Sequence, residues 1–88
     1  MSIDKQEILK NICYTELVYK RINKKLNMQF SKKQIEEYIS KILRETDETF
    51  FTKRGKNFYV LNTEYKIRLT INSNTFRIIT VDKSDITN

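Results

Sequence analysis

The sequence contains no histidine, proline, tryptophan or alanine, and holds a single glycine, Gly55, and a single cysteine, Cys13. Each absence removes a class of chemistry. Zinc centres assembled from histidine and clustered cysteine are excluded. So is catalysis by Ser–His–Asp or Cys–His sets, and so are glycine-rich phosphate loops and dinucleotide fingerprints. A lone cysteine makes no intrachain disulfide, which predicts a reducing, cytoplasmic setting. No apolar run is long enough for a signal h-region or a membrane span, so a soluble chain with no membrane partner is expected. Nothing in the sequence calls for a cofactor.

What is present describes a small basic domain. Eighty-eight residues suffice for one core and not for two. At 10.7 kDa, area scaling buries roughly 65% of the unfolded surface. Hydrophobic residues are 39% and charged residues 32%, a globular balance and not a disordered one. The net charge of +6 and pI near 9.5 direct attention to polyanions, nucleic acid above all. A compositional cause competes with that reading. Lys, Asn, Ile, Phe and Tyr make up 42 of the 88 residues, the set that AT-rich codons favour, so part of the lysine excess need not be functional.

The chain divides into a helical part, residues 4–47, a sheet part, residues 49–82, and a polar tail, residues 83–88. This is a segregated α+β pattern, with two or three N-terminal helices packed on a four-stranded antiparallel sheet of two β-hairpins. Asp4-Lys5-Gln6-Glu7 has capping-box spacing. Ile8, Ile12, Tyr19, Ile22 and Leu26 follow a helical stripe, which Leu9, Cys13, Leu17 and Val18 widen past half the circumference. Either this helix is buried on two sides or it breaks near Asn11–Thr15 into two helices; periodicity does not decide between them, and a break or kink is the favoured expectation. The next helix is the clearest element. Ser31 and Gln34 form a capping box, Phe30 and Ile35 take the staple positions, and Ile35, Tyr38, Ile39, Ile42 and Leu43 make one apolar face ending near Glu45–Asp47.

From Thr49 the residues become β-branched and aromatic. Thr49–Lys53 and Asn57–Asn62 flank Arg54-Gly55-Lys56, with Gly55 where a hairpin turn needs positive φ. Tyr65–Asn72 and Thr75–Asp82 flank a tight Ser73-Asn74 turn. Pairing Asn72 with Thr75 sets Leu69 opposite Ile78 and Ile71 opposite Phe76. Tyr65, Ile67, Leu69, Ile71, Phe76 and Ile78 then face the helices, while Lys66, Arg68, Thr70, Asn72 and Arg77 share the other face with Ile79 and Val81. Two apolar residues on a polar face suggest a surface covered either by the long first helix or by the mate of a possible homodimer.

Three stretches are basic without an acid. The first runs from Lys20 through Arg21, Lys24, Lys25 and Lys32 to Lys33. The second is the hairpin tip, Lys53, Arg54 and Lys56. The third is the sheet face, Lys66, Arg68 and Arg77. Lys32 and Lys33 stand at the positive end of the capped helix, where cations cost about 0.3–1 kcal/mol each and exposed amides attract anions. The bland alternatives are tolerated drift at the helix start and ordinary charged edge protection at the tip. Phe58 and Tyr59 offer either a stacking surface for bases or plain sheet core against Phe50 and Phe51. Tyr14, Tyr19 and Tyr38 read as core or boundary residues, and Cys13 as a small core residue. Glu36-Glu37 are helix neighbours that point apart, which suits a solvated face better than acid–base work.

The order helix, turn, capped helix, basic hairpin resembles a winged-helix protein with Lys53-Arg54-Gly55-Lys56 as its wing. It departs in the glycine-free Leu26–Phe30 connection and in the second hairpin. Helices followed by strands such as Ile67-Arg68-Leu69 and Phe76-Arg77-Ile78-Ile79 are similar to RelE-like ribonuclease toxins. That fold opens on a strand, which Met1–Gln6 does not suggest.

A broader resemblance covers roughly Ile12 to Lys83. It lies in Tyr14-Thr15-Glu16-Leu17-Val18 with Arg21-Ile22-Asn23-Lys24-Lys25-Leu26, in Phe51-Thr52-Lys53-Arg54-Gly55-Lys56-Asn57-Phe58-Tyr59, and in the segment Ile67–Asp82. These resemble a family of small proteins from Firmicutes catalogued as a domain of unknown function. The resemblance implies a bacterial or phage source and a cytoplasmic location, and it brings no activity.

The expectation is therefore a non-enzymatic binding module whose basic residues meet nucleic acid or a nucleic-acid-binding protein complex. The alternative is a phage or mobile-element inhibitor of anti-CRISPR type, and the lesser alternative a RelE-like toxin.

Overall fold

A computed structural model describes residues 3–84. Three helices precede one antiparallel sheet: α1 (Lys5–Asn11), α2 (Glu16–Leu26) and α3 (Lys32–Glu45), a 3₁₀ turn at Glu48–Phe50, then β1 (Phe51–Arg54), β2 (Asn57–Asn62), β3 (Ile67–Asn72) and β4 (Ile78–Lys83). The strands lie in chain order, β1-β2-β3-β4.

Each helix starts on a side-chain oxygen that satisfies an otherwise unpaired amide. Asp4 accepts from the Glu7 N–H and Thr15 from the Val18 N–H. At α3 the full capping box forms, Ser31 accepting from Gln34 N–H while the Gln34 side chain accepts from Ser31 N–H. The wide apolar stripe of the first 26 residues is resolved by the expected break. Helix α1 ends at Asn11, and Ile12–Thr15 cross to α2 in extended backbone. Cys13 forms a parallel bridge with Arg77 there, its N–H donating to Phe76 O and its carbonyl accepting from Ile78 N–H. Helix α2 needs no glycine to end, because Asn27 takes the left-handed conformation at φ 55°. Asn23 then pins the connection to α3, its side-chain amide exchanging two hydrogen bonds with the Phe30 backbone.

The core is a single cluster. Ile8, Val18, Ile22, Leu26, Ile35, Ile39, Ile42 and Leu43 of the helices meet Phe51, Val60, Ile67, Leu69, Ile71, Ile78 and Val81 of the sheet. The four residues of α3 are essentially solvent-free, and each contributes about 1.5–3 kcal/mol by burial. One polar contact ties the helix layer to the sheet and another ties α1 to the end of α3. Asn62 donates to Thr46 Oγ1, which donates to Ile42 O. Lys5 Nζ donates to the Arg44 and Thr46 carbonyls at the negative end of α3.

The sheet departs from the sequence reading in its second hairpin. Leu69 pairs with Val81 and Ile71 with Ile78, with an irregularity after Thr70. Thr70 opposes Thr80 while Ile71 opposes Ile78, so Ile79 is the extra residue of a β-bulge on β4. The bulge returns Val81 to the core, fully buried, and leaves Ile79 exposed at 37%. Val81 is thus not on the polar face, and the paired apolar patch that suggested a covered surface reduces to Ile79. The turn is also longer than Ser73-Asn74. The Asn72 carbonyl accepts from Phe76 N–H, its side chain accepts from Asn74 and Thr75 N–H, and Phe76 sits at φ 60°.

Three smaller readings are corrected. β1 starts at Phe51 and not Thr49, because Asp47 caps a 3₁₀ turn through the Thr49 N–H and hydroxyl. Cys13 is exposed and not core. β4 runs through Lys83 and Ser84 is buried, so no polar tail begins at residue 83; the rest of that stretch, residues 85–88, lies outside the described residues.

Candidate functional site

Period-2 alternation gives the sheet an outer face that carries none of the buried apolar residues. Across it run three rows fixed by register. Thr52, Tyr59, Thr70 and Thr80 form one row, Arg54, Asn57 and Asn72 a second, and Leu61, Arg68 and Asp82 a third. Thr52, Arg54, Tyr59 and Arg68 line a shallow depression. Tyr59 is half-buried at its centre, and its hydroxyl accepts from Asn57 Nδ2 at 3.3 Å. Tyr59 therefore belongs to the outer face and Phe58 to the core side, where it packs near Phe76. The sheet-core reading of this pair therefore holds for Phe58 and fails for Tyr59.

The meander also sorts charge along the strands. The β1–β2 and β3–β4 turns lie at one end, tied together by Ser73, whose N–H and hydroxyl both donate to the Lys56 carbonyl. That end gathers Lys53, Arg54 and Lys56, all exposed. Arg77, also exposed, joins them because its carbonyl accepts from Asn72 N–H beside Asn57 and Arg54. Gly55 at φ +60°, followed by Lys56 without a positive φ, gives this tip a II′-type turn. The opposite end collects Glu64 in the β2–β3 turn, Asp47 and Glu48 before β1, and Glu45, which accepts from the Tyr65 hydroxyl. Lys66 turns away from Arg68. It occupies the β2–β3 turn at φ 57° and borders a groove with Leu26, Met28, Tyr38 and Tyr65, so it is not a sheet-face residue.

The helical cations divide. Lys20, Arg21 and Lys24 are exposed on α2, in line with Leu17, which is 73% exposed. Lys25 reaches the edge of the outer face and pairs with Asp82 at 2.8 Å. Lys32 pairs with Glu16 and lies over the Tyr19 ring. This corrects the reading of Lys32 as an unpartnered anion-attracting charge. Lys33 stands among Glu36, Glu37, Lys41 and Arg44, a mixed surface. The solvent face of α3 is therefore no basic recognition helix, and the tip is part of a continuous sheet and no free wing. Among the described residues, the ion pairs are those of Lys25 and Lys32; the other candidate cations enter neither.

A second polar cluster lies between α2 and α3. Tyr14 stacks on Tyr19 at 5.4 Å, and the Tyr19 hydroxyl donates to Glu36. Burial first, then the Glu36 and Tyr19 charges, push the Tyr14 hydroxyl far above its ordinary value. Burial and the Glu36 hydrogen bond push Tyr19 up to about 12. Both stay protonated at neutral pH, so this cluster is a structural seam.

The sequence reading left the side of Tyr59 open and missed Thr52, Asn57, Thr70 and Thr80 as its neighbours. The signal was available at the first hairpin. A two-residue Gly55-Lys56 turn pairs Arg54 with Asn57, which pairs Phe51 with Val60 and sends Tyr59 outward.

No group of His, Cys, Asp or Glu suited to a metal occurs among the described residues, and no helix there is long and apolar enough to cross a membrane. Residues 6–82 match a family model described as a protein of unknown function, DUF3781. No curated protein and no solved structure matches the chain.

Proposed function

We propose that this chain, which belongs to the DUF3781 family of proteins of unknown function, is a non-enzymatic module that binds nucleic acid through the tip end and outer face of its sheet. The observation that carries the reading is the sorting of charge. Lys53, Arg54, Lys56 and Arg77 gather at one end and Arg68 stands on the adjoining face. Asp82, the one carboxylate in the three rows, is neutralised by Lys25. An overall charge of +6 spread evenly would give weak attraction in all directions. Gathered at the tip and the adjoining outer face, these cations would release condensed counterions when phosphates dock. The setting in this proposal is the cytosol of a Firmicutes bacterium or its phage.

A second reading has one observation in its favour. Leu17 is largely exposed beside Lys20, Arg21 and Lys24, and apolar residues mixed with Arg are typical of protein interfaces. That face suits an inhibitor docking on a nucleic-acid-handling defence complex.

Fluorescence anisotropy across a salt series separates the two. Changing Lys53, Arg54 and Lys56 together to Glu weakens binding and shrinks the salt slope by two or three phosphates' worth, about 0.9 per phosphate on duplex and 0.7 on single strands. Folding changes by less than about 0.5 kcal/mol, since these positions are exposed. If the unaltered protein binds no nucleic acid at low salt, the reading is wrong and the inhibitor reading replaces it.

A further inference from the structure

We infer that the outer sheet face is a platform for single-stranded nucleic acid, with Tyr59 stacking on an unpaired base and Arg54 and Arg68 holding phosphates on either side of it. The inference rests on the nucleic-acid reading above and names the form of the ligand.

Three features of the face point this way. The first is the position of Tyr59. It lies on β2, an inner strand, directly between Thr52 and Thr70, and the core's apolar contacts are made by its neighbours Phe58 and Val60. Packing therefore does not require an aromatic ring here; a threonine like its two row neighbours would serve the sheet equally well. The second is the placement of charge around it. Arg54 is a diagonal neighbour of Tyr59 towards the tip, on β1, and Arg68 is its diagonal neighbour in the opposite direction, on β3. Diagonal neighbours stand about 7–8 Å apart, within reach of arginine side chains, and all three residues line one depression. A cation on each side of a ring matches a backbone that crosses the sheet obliquely while one base stacks between its phosphates. The third is the rest of the surface. Thr52, Thr80, Asn57 and Asn72 offer small neutral hydrogen-bonding groups around the half-buried ring.

Duplex DNA fits this face poorly. Its major groove, about 12 Å wide, admits a helix or a two-stranded ribbon, whereas here four hydrogen-bonded strands form the surface. In a duplex the base faces are stacked on one another, so a ring on a flat sheet has nothing to stack on. Single strands present free base faces, and an aromatic flanked by arginines is the arrangement that exploits them.

The test titrates the whole protein against labelled oligouridylate, oligothymidylate and a duplex of mixed sequence. Single strands are expected to bind more tightly than duplex, and comparison of the two single strands distinguishes RNA from DNA as the source. Tyr59→Ala should weaken single-strand binding about tenfold or more, roughly 1.4 kcal/mol or more, with its salt slope unchanged, because stacking displaces no counterions. Tyr59→Phe should retain the affinity. The pair Arg54→Gln and Arg68→Gln should reduce the slope by about 1.4, two phosphates at about 0.7 each. Circular dichroism should report the same fold for all variants, and if Tyr59→Ala fails to fold, the Gln pair and the duplex comparison still decide. A preference for duplex, or single-strand binding indifferent to Tyr59→Ala, overturns the platform while leaving nucleic-acid binding intact. Absence of binding to every oligonucleotide overturns both.

Discussion

The two faces of the sheet are made from the same strands and share almost nothing chemically. On one side Phe51, Val60, Ile67, Leu69, Ile71, Ile78 and Val81 are at most 5% exposed. On the other, one residue away in each strand, stand threonines, asparagines, Tyr59, Arg54 and Arg68. Alternation lets a strand satisfy folding with half its side chains and leave the other half free for binding. The bulge at Ile79 belongs to this division. Without the extra residue, Val81 and Leu69 would fall on opposite faces and β4 would carry its second apolar anchor into solvent.

The largest effects should come from breaking the buried face. Leu69→Ala is expected to cost about 2–5 kcal/mol, and Val81→Lys more than that, through a buried unpaired charge; chemical denaturation measures both. Gly55→Ala tests the turn that sets which residues face which way. A Cβ there meets no atom within 4 Å, so the cost is purely that of holding φ at +60°, about 1–2 kcal/mol. A retained midpoint would show that the tip tolerates another turn type.

Alkali tests the helix layer on which the buried face rests. The Tyr19 pKa is raised in the folded state from 10.0 to about 12. The protonated form is therefore favoured by folding, and its stabilisation is complete below pH 10 and lost as the pH rises towards 12. Discounted for solvent exposure, this amounts to less than about 1 kcal/mol. Tyr19→Phe should flatten the decline in melting temperature over that window. The smallest effects belong to the outer face. Ile79→Lys and Arg68→Ala should each change stability by less than about 0.5 kcal/mol. Light scattering of Ile79→Lys addresses self-association. A fall in mass would show that Ile79 alone suffices to hold two copies together.

The parts of this architecture legible in the sequence are those encoded locally. Ser31, Gln34 and Phe30 announce α3 within a few residues and Gly55 announces its turn, while the overlong apolar stripe fits either a doubly buried helix or the break found after Asn11. The division of the chain into helices and then strands follows from the same texture. What could not be read depends on distant partners or on unusual backbone. Lys66 and Phe76 adopt positive φ without being glycine, so neither turn carried its usual signature, and the second hairpin was set two to three residues out of register. The Lys25–Asp82 pair joins residues 57 apart, and the Lys32–Glu16 pair joins two helices. No segment-by-segment count of charges reveals such neutralisation. For the candidate site, Arg54, Arg68 and Arg77 could be named as cations, but their grouping around the outer face follows from register alone.

The bridge at Cys13 also bears on the order in which the molecule assembles. The meander joins strands that are neighbours in sequence, so its pairings close short loops. Cys13, by contrast, meets Phe76, Arg77 and Ile78 at the start of β4, all further along the chain than Thr75, which is itself 62 residues away. Closing so long a loop is entropically unfavourable until the strands it joins exist. The two backbone bonds at Cys13 should therefore form after the folding transition state and break before the unfolding one. Weakening that clasp, for example with Cys13→Pro, which removes the amide that donates to Phe76, should accelerate unfolding while leaving the folding rate nearly unchanged. The segment between α1 and α2 would then act as a latch on an already formed sheet, setting how long the native state lasts more than how fast it is reached.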